Sequence, residues 1–156
     1  MIELIVTAFL VGSTYILVKG WRDLHRVQMD RLRFHRDRFF EQAAIAVSDD
    51  RVIDETLHQI RLLAEQMDAP EVLGILASAV QEVDKEIRSG AFRARATPDS
   101  VSASILWEFF MAVSYTRPIR GVWVRSMMAD MANPRSTDVN TRAIAQRVRS
   151  FTPQMA

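Results

Sequence analysis

The sequence predicts an all-α protein: an N-terminal transmembrane helix that continues into a cytoplasmic stalk, followed by a small bundle of about five short helices. Three observations carry this. Residues 2–18 form an apolar run whose only charge is Glu3. Beyond it, apolar residues recur at spacings of three and four, the period of an amphipathic helix. Pro70, Pro98, Pro118 and Pro134, Gly90 and short oxygen-bearing side chains fall between these stripes, where helices start and stop.

The first element is the anchor, residues 1–20. Leu4 to Val18 carries no charge, and with Met1, Ile2, Gly20 and Trp21 the run reaches about twenty residues, close to what a bilayer requires. Thr7, Ser13 and Thr14 can bond back to the helix backbone. A cleaved signal would need a positive start and a small-residue cleavage site, and neither is present. A buried core helix is the competing reading. The flanks set the orientation: Glu3 on one side, and Lys19, Arg22, Arg26, Arg31, Arg33, Arg36 and Arg38 on the other. Basic flanks stay in the cytoplasm, so the N-terminus is expected outside and the rest inside.

The second element, residues 21–47, has no Gly or Pro. Leu24, Gln28, Leu32, His35, Phe39 and Ala43 share one helical face, and a rod from residue 3 to 46 would run about 65 Å at 1.5 Å per residue. The spacing predicts a basic juxtamembrane stalk.

Residues 48–156 are expected to form a cytoplasmic helical domain. Ser48-Asp49-Asp50 offers a cap for a helix whose stripe includes Leu57, Ile60, Leu63 and Met67. Asp68-Ala69-Pro70-Glu71 resembles a capping box with Pro in the first turn. The helix after it closes at Ser89-Gly90. Residues 91–97 read as a loop and Thr97–Ser100 as a cap. Residues 105–113, ILWEFFMAV, are apolar on nearly all sides, which suits a central helix. Arg117-Pro118 breaks that helix, and Ile119, Val122, Trp123, Met127 and Met131 suggest a further short one, although VWV also suits a strand. A last helix follows Ser136 or Thr137. The expected core is Leu76, Val80, Ile105, Leu106, Phe109, Phe110, Trp123 and Ile144.

Composition excludes several functions. There is no Cys, so thiolate chemistry, disulfides and Cys-ligated metals are absent. Eighteen of the twenty basic residues are Arg, as GC-rich bacterial coding would give. Charge is ordered along the chain: net +2 over residues 1–47, −7 over 48–87 and +6 over 88–156. The acidic and Arg-rich segments are expected to dock, with Asp/Glu–Arg pairs around an apolar seam.

No motif carries catalysis, and no cofactor or metal is implied. Glu55-x-x-His58 has di-iron spacing but no second copy, so exposed polar residues are the simpler reading. His25 and His35 are ten residues apart, too far for a helical metal pair, and read as solvated stalk residues or headgroup neighbours. Glu108, alone in an apolar helix, could act as an acid or base, but pairing with an Arg is the plainer expectation. Lys19, Trp21, Arg22 and Arg26 are the expected membrane-interface residues, attracting anionic lipid headgroups over residues 19–26. Ala8 and Gly12 form a small-xxx-small pair that permits helix contact in the membrane and a homo-oligomer, though such pairs also arise by chance. Asp23, Asp30 and Asp37 oppose nucleic acid.

The function expected is therefore that of a single-pass inner-membrane interaction protein, tethering, assembling or regulating an unidentified protein partner at the cytoplasmic face. Two alternatives stand beside it. One is a membrane-active lysis or remodelling factor that inserts ILWEFFMAV and VWVRSMM into the interface. The other is an enzyme whose site the sequence does not reveal.

Overall fold

The computed structural model describes residues 2–48, 54–92, 101–131 and 137–151, with side chains from residue 5 to 149 within those ranges. Six helices follow one another, and no strand occurs among the described residues: α1 (Ile2–Val47), α2 (Asp54–Gln66), α3 (Pro70–Arg88), α4 (Ala103–Tyr115), α5 (Pro118–Met131) and α6 (Thr137–Phe151).

The hub is α4. It packs against α1, α5, α6 and α3, and Ile105, Leu106, Phe109, Phe110, Ala112 and Val113 are buried. A helix apolar on every side can hide that surface only when neighbours surround it. Its longest contact is with α1. Phe39 lies 6.2 Å from Phe109 between ring centroids, and His35 meets both Glu108 and Tyr115, so the two helices run antiparallel. The face buried on α1 comprises Gln28, Leu32, His35, Phe39 and Ala43, the stripe that the spacing predicts. Residues 21–47 are thus not a free stalk throughout. Their second half is a wall of the bundle, because this stripe needs an apolar partner and α4 supplies one.

The remaining elements enclose α4. In α3, Pro70 occupies the first turn, but the preceding Ala69 caps without a side-chain bond. Asp68, expected as the cap, instead takes Arg36 at 3.3 Å, tying the α2–α3 corner to α1. Gly90 ends α3 with φ +68°, the left-handed conformation that glycine adopts without strain. The cap of α4 is Ser102, whose Oγ accepts the Ile105 N–H at 3.4 Å. The caps expected at Asp49–Asp50 and Thr97–Ser100 lie outside the described residues. The VWV segment is helical within α5. At Gly121 a Cβ would sit 1.6 Å from the Ser114 carbonyl oxygen, so only glycine lets α5 approach α4 this closely. Asn140 joins α6 to the end of α5, donating to the Met131 carbonyl at 2.8 Å.

Seven of the eight expected core residues are buried; Trp123 is 46 % exposed. The inner face of α5 is Gly121, Val124, Met128 and Met131, spaced by three and four, and Trp123 falls on the opposite side. The expected pairing of acidic and Arg-rich segments appears where α6 meets α3: Arg147 lies 3.6 Å from Glu82 and also bonds Glu86.

Among the described residues no helix is long and apolar enough to cross a membrane. The span predicted for residues 1–20 is therefore not shown by the structure. The physical reason is length. Among the described side chains, the uncharged run from Ile5 to Val18 covers about 21 Å at 1.5 Å per residue, short of a hydrocarbon core of about 30 Å. Any longer apolar segment has to include Met1–Leu4, whose side chains are outside those described.

Candidate functional site

The N-terminal half of α1 projects beyond the bundle. From Ile5 to Val27 every residue is exposed except the half-buried Ser13. Phe9 (74 %), Leu17 (72 %), Ile16 (69 %) and Val11 (64 %) point in different directions around the helix, so no single face of the chain could cover them. The competing reading as a buried core helix does not hold for the described side chains: from Ile5 to Gly20 the bundle buries none of them. Within it, the Thr14 hydroxyl donates to the Leu10 carbonyl at 2.8 Å, so this polar group is satisfied inside the helix. Ala8 is exposed, and a Cβ added at Gly12 would meet nothing within 4 Å, leaving that surface open.

Below the apolar segment Lys19, Trp21, Arg22 and Arg26 form a collar, all exposed, with His25 among them. About two consecutive turns place amphipathic and cationic side chains around one level of the rod. The carboxylate of Asp23 is the only acid at this level.

Where the arm enters the bundle, a polar cluster fixes it. His35 Nδ1 lies 2.7 Å from Glu108 Oε2, and both side chains are about nine-tenths buried. The His35 ring stacks on Tyr115 with centroids 5.5 Å apart and an interplanar angle of 14°. The Arg125 guanidinium stands 3.9 Å from the Tyr115 ring centroid and donates to the Ser114 carbonyl at 2.6 Å. Burial lowers the Arg125 pKa from its ordinary value, and proximity to Tyr115 acts in the opposite sense. Glu108 thus pairs with a histidine from a distant helix rather than with an arginine, and His35 is buried rather than solvated. The signal was present in the sequence: His35 stands in the apolar stripe of α1, and Glu108 in the apolar centre of α4. Each needs a buried partner, and each is the other's.

This cluster has the residue types of acid–base chemistry, and none of the described clefts is lined by His35 or Glu108. One small cavity, of about 30 Å³, lies elsewhere, between α2, α4 and α6. That volume suits a water molecule, not a metabolite. Glu55 and His58 are exposed on α2. No group of three or more potential metal ligands occurs among the described residues. Among the described residues, the apolar surface left without cover is chiefly that of the arm; open clefts also lie beside the collar and on either side of the α3–α5 contact.

Fold and arm together define a class: a small helical bundle carrying an uncovered apolar helix with a basic collar. No family model matches the chain, and no curated protein or solved structure matches it.

Proposed function

We propose that this chain is a membrane-anchored interaction protein, held by residues 1–20 as a single span in the cell's inner membrane and presenting its helical domain to a protein partner in the cytoplasm. The observation that carries this is the arm: an apolar helix exposed on all sides, ending at Lys19, Trp21, Arg22 and Arg26. Fully exposing a large aliphatic or aromatic side chain forfeits about 1.5–3 kcal/mol relative to burial, so the dozen large apolar residues of the arm require an apolar medium. A bilayer covers every face at once, whereas a partner helix covers one. Trp21 suits the interfacial belt, Lys19 can snorkel, and the basic excess keeps residues 21 onward inside. The short uncharged run is met by including Met1–Leu4 and by local thinning of the bilayer.

The membrane-active alternative loses half its basis, since Ile105, Leu106, Phe109 and Phe110 are core residues and not free to insert.

The test is membrane extraction with a C-terminal tag. The full chain should resist alkaline and high-salt washing, and the tag should survive protease added outside intact spheroplasts. The chain lacking residues 1–20 should be released by the same washes. Release of the full chain would remove the anchor, and loss of the tag without lysis would reverse the orientation.

A further inference from the structure

The outer face of α5 is as apolar as its inner one. Gly121, Val124, Met128 and Met131 face the bundle, while Ile119 (79 %), Val122 (53 %) and Trp123 (46 %) face outward. Arg117 and Arg120 flank this outer patch and are exposed. From Phe109 to Ala129 the chain contains no acid. One carboxylate borders the patch from α3: Glu71 lines the cleft that holds Arg117, Ile119 and Arg120. Near Trp123, Asp84 is already held by Arg88 at 2.8 Å, with Lys85 beside it. Asp130, exposed two turns beyond Trp123 on α5, also acts on Arg88. Arg117, Arg120, Lys85 and Arg88 against Glu71, Asp84 and Asp130 leave the charge presented with the apolar residues at +1.

The patch also sits at a particular end of the bundle. Because α4 runs antiparallel to α1, and Tyr115 stacks on His35, the residues after Tyr115 lie toward the arm. The α4–α5 corner and the collar are thus on the same end of the molecule.

We infer that the outer face of α5 is a second membrane contact: Ile119, Val122 and Trp123 enter the headgroup boundary of the anchoring membrane, and Arg117 and Arg120 bind anionic phospholipid headgroups. This rests on the anchor proposed above. An exposed Trp with aliphatic neighbours and flanking Arg is the composition of an interfacial helix face. An acidic protein surface would match the charge, but nothing would then call for the patch to share the arm's end of the bundle.

The distances permit it under one condition. Fourteen residues separate Trp21 from His35, about 21 Å along α1. An upright arm would hold the corner that far from the headgroups, beyond a Debye length of about 8 Å. With helices packed about 10 Å apart, α5 lies up to about 20 Å to the side of α1. A tilt of about 40°, the upper end for spanning helices, closes the gap to within one Debye length. The arm is accordingly steeply tilted.

The experiment uses the full chain in vesicles of phosphatidylcholine with or without phosphatidylserine, with brominated acyl chains as quencher. The chain has three Trp. Trp21→Phe/Trp107→Phe leaves Trp123 as reporter, and Trp107→Phe/Trp123→Phe leaves Trp21. Trp21 should lose emission in both lipids. Trp123 should lose emission only with phosphatidylserine, and should recover at about 1 M salt, where the Debye length is about 3 Å, or in Arg117→Glu/Arg120→Glu. Hydrogen exchange of residues 118–124 in the unmutated chain gives the same answer independently of the Trp replacements, with protection expected only on anionic vesicles. If Trp21 is quenched while Trp123 stays bright and residues 118–124 exchange equally in both lipids, the anchor stands and the α5 contact is refuted, leaving that face to a protein. If Trp21 itself is unquenched, the anchor fails.

Discussion

Removing Glu108 should loosen the arm from the bundle. The carboxylate is the only partner seen for the His35 Nδ1, at 2.7 Å, and both side chains are about one-tenth exposed. Water therefore cannot replace the bond without opening the α1–α4 seam. Breaking a buried pair from one side costs about 3–5 kcal/mol, because the group left behind is desolvated and unpaired. The residual exposure of both groups places the expected cost at the lower end, about 3 kcal/mol for Glu108→Ala. His35→Ala should cost a similar amount, since it also removes the ring stacked on Tyr115. The double replacement His35→Leu/Glu108→Leu removes both polar groups and refills the space, so it should be less damaging than either single alanine change. Urea melts of the full chain in mild detergent, followed by tertiary-structure circular dichroism, measure these values. A double-alanine variant completes the cycle. If its cost equals the sum of the single costs within about 0.5 kcal/mol, the two residues are uncoupled and the pair does not clamp the arm.

Other outcomes follow from the same packing. Gly121→Ala should destabilise by about 3 kcal/mol or more, because its Cβ would lie 1.6 Å from the Ser114 carbonyl and α5 would have to move; an unchanged melt would mean the two helices do not meet this closely. Phe109→Ala should cost about 3–5 kcal/mol in the same melts, since the ring is fully buried against Phe39 and Phe110; a loss under about 1 kcal/mol would contradict that burial. Arg147→Glu should cost about 1 kcal/mol, since it sets like charge against Glu82 and Glu86 at a half-exposed site, and the loss should shrink in high salt; a loss independent of salt would point to packing instead.

The sequence made the buried stripe of α1 legible because Gln28, Leu32, His35, Phe39 and Ala43 keep one period without interruption. It made α4 legible as a central helix because eight apolar residues with a single acid leave no polar face. Trp123 was misread for a physical reason. In α5 the residues Ile119, Val122 and Trp123 form one apolar set, and Val124, Met128 and Met131 form another on the opposite side. Periodicity cannot say which set is inside. The discriminating residue was Gly121, which costs about 1 kcal/mol against Ala in a helix interior and so implies a close contact on its own side. Asp68 was read as a cap from local spacing alone, but Arg36, thirty-two positions earlier, holds it. Such a long-range pairing leaves no local trace. The apolar run at the N-terminus was legible as a segment needing cover. None of the described residues covers it.

The rigidity of α1 makes the two proposed membrane contacts depend on each other. One helix of 46 residues joins arm to bundle, and no Gly or Pro interrupts residues 21–47. The arm is apolar all round, so rotation about its own axis costs little and does not fix which side of the bundle approaches the bilayer. Tilt is different: with a stiff connection, bringing the α5 face to the headgroups forces the arm to lean. Inserting Gly-Gly-Ser-Gly between Arg26 and Val27 would break the helix where it leaves the bundle, since each Gly in a helix interior costs about 1 kcal/mol. The α5 face should then dock without constraining the arm. Polarised infrared dichroism on aligned bilayers should show the unmodified arm strongly inclined with anionic lipid and more upright with neutral lipid. In the inserted chain the arm should be upright in both, while residues 118–124 remain protected on the anionic surface. An inclination that is the same in all four samples would mean that the arm alone sets its tilt, and the mechanical coupling through α1 would be wrong.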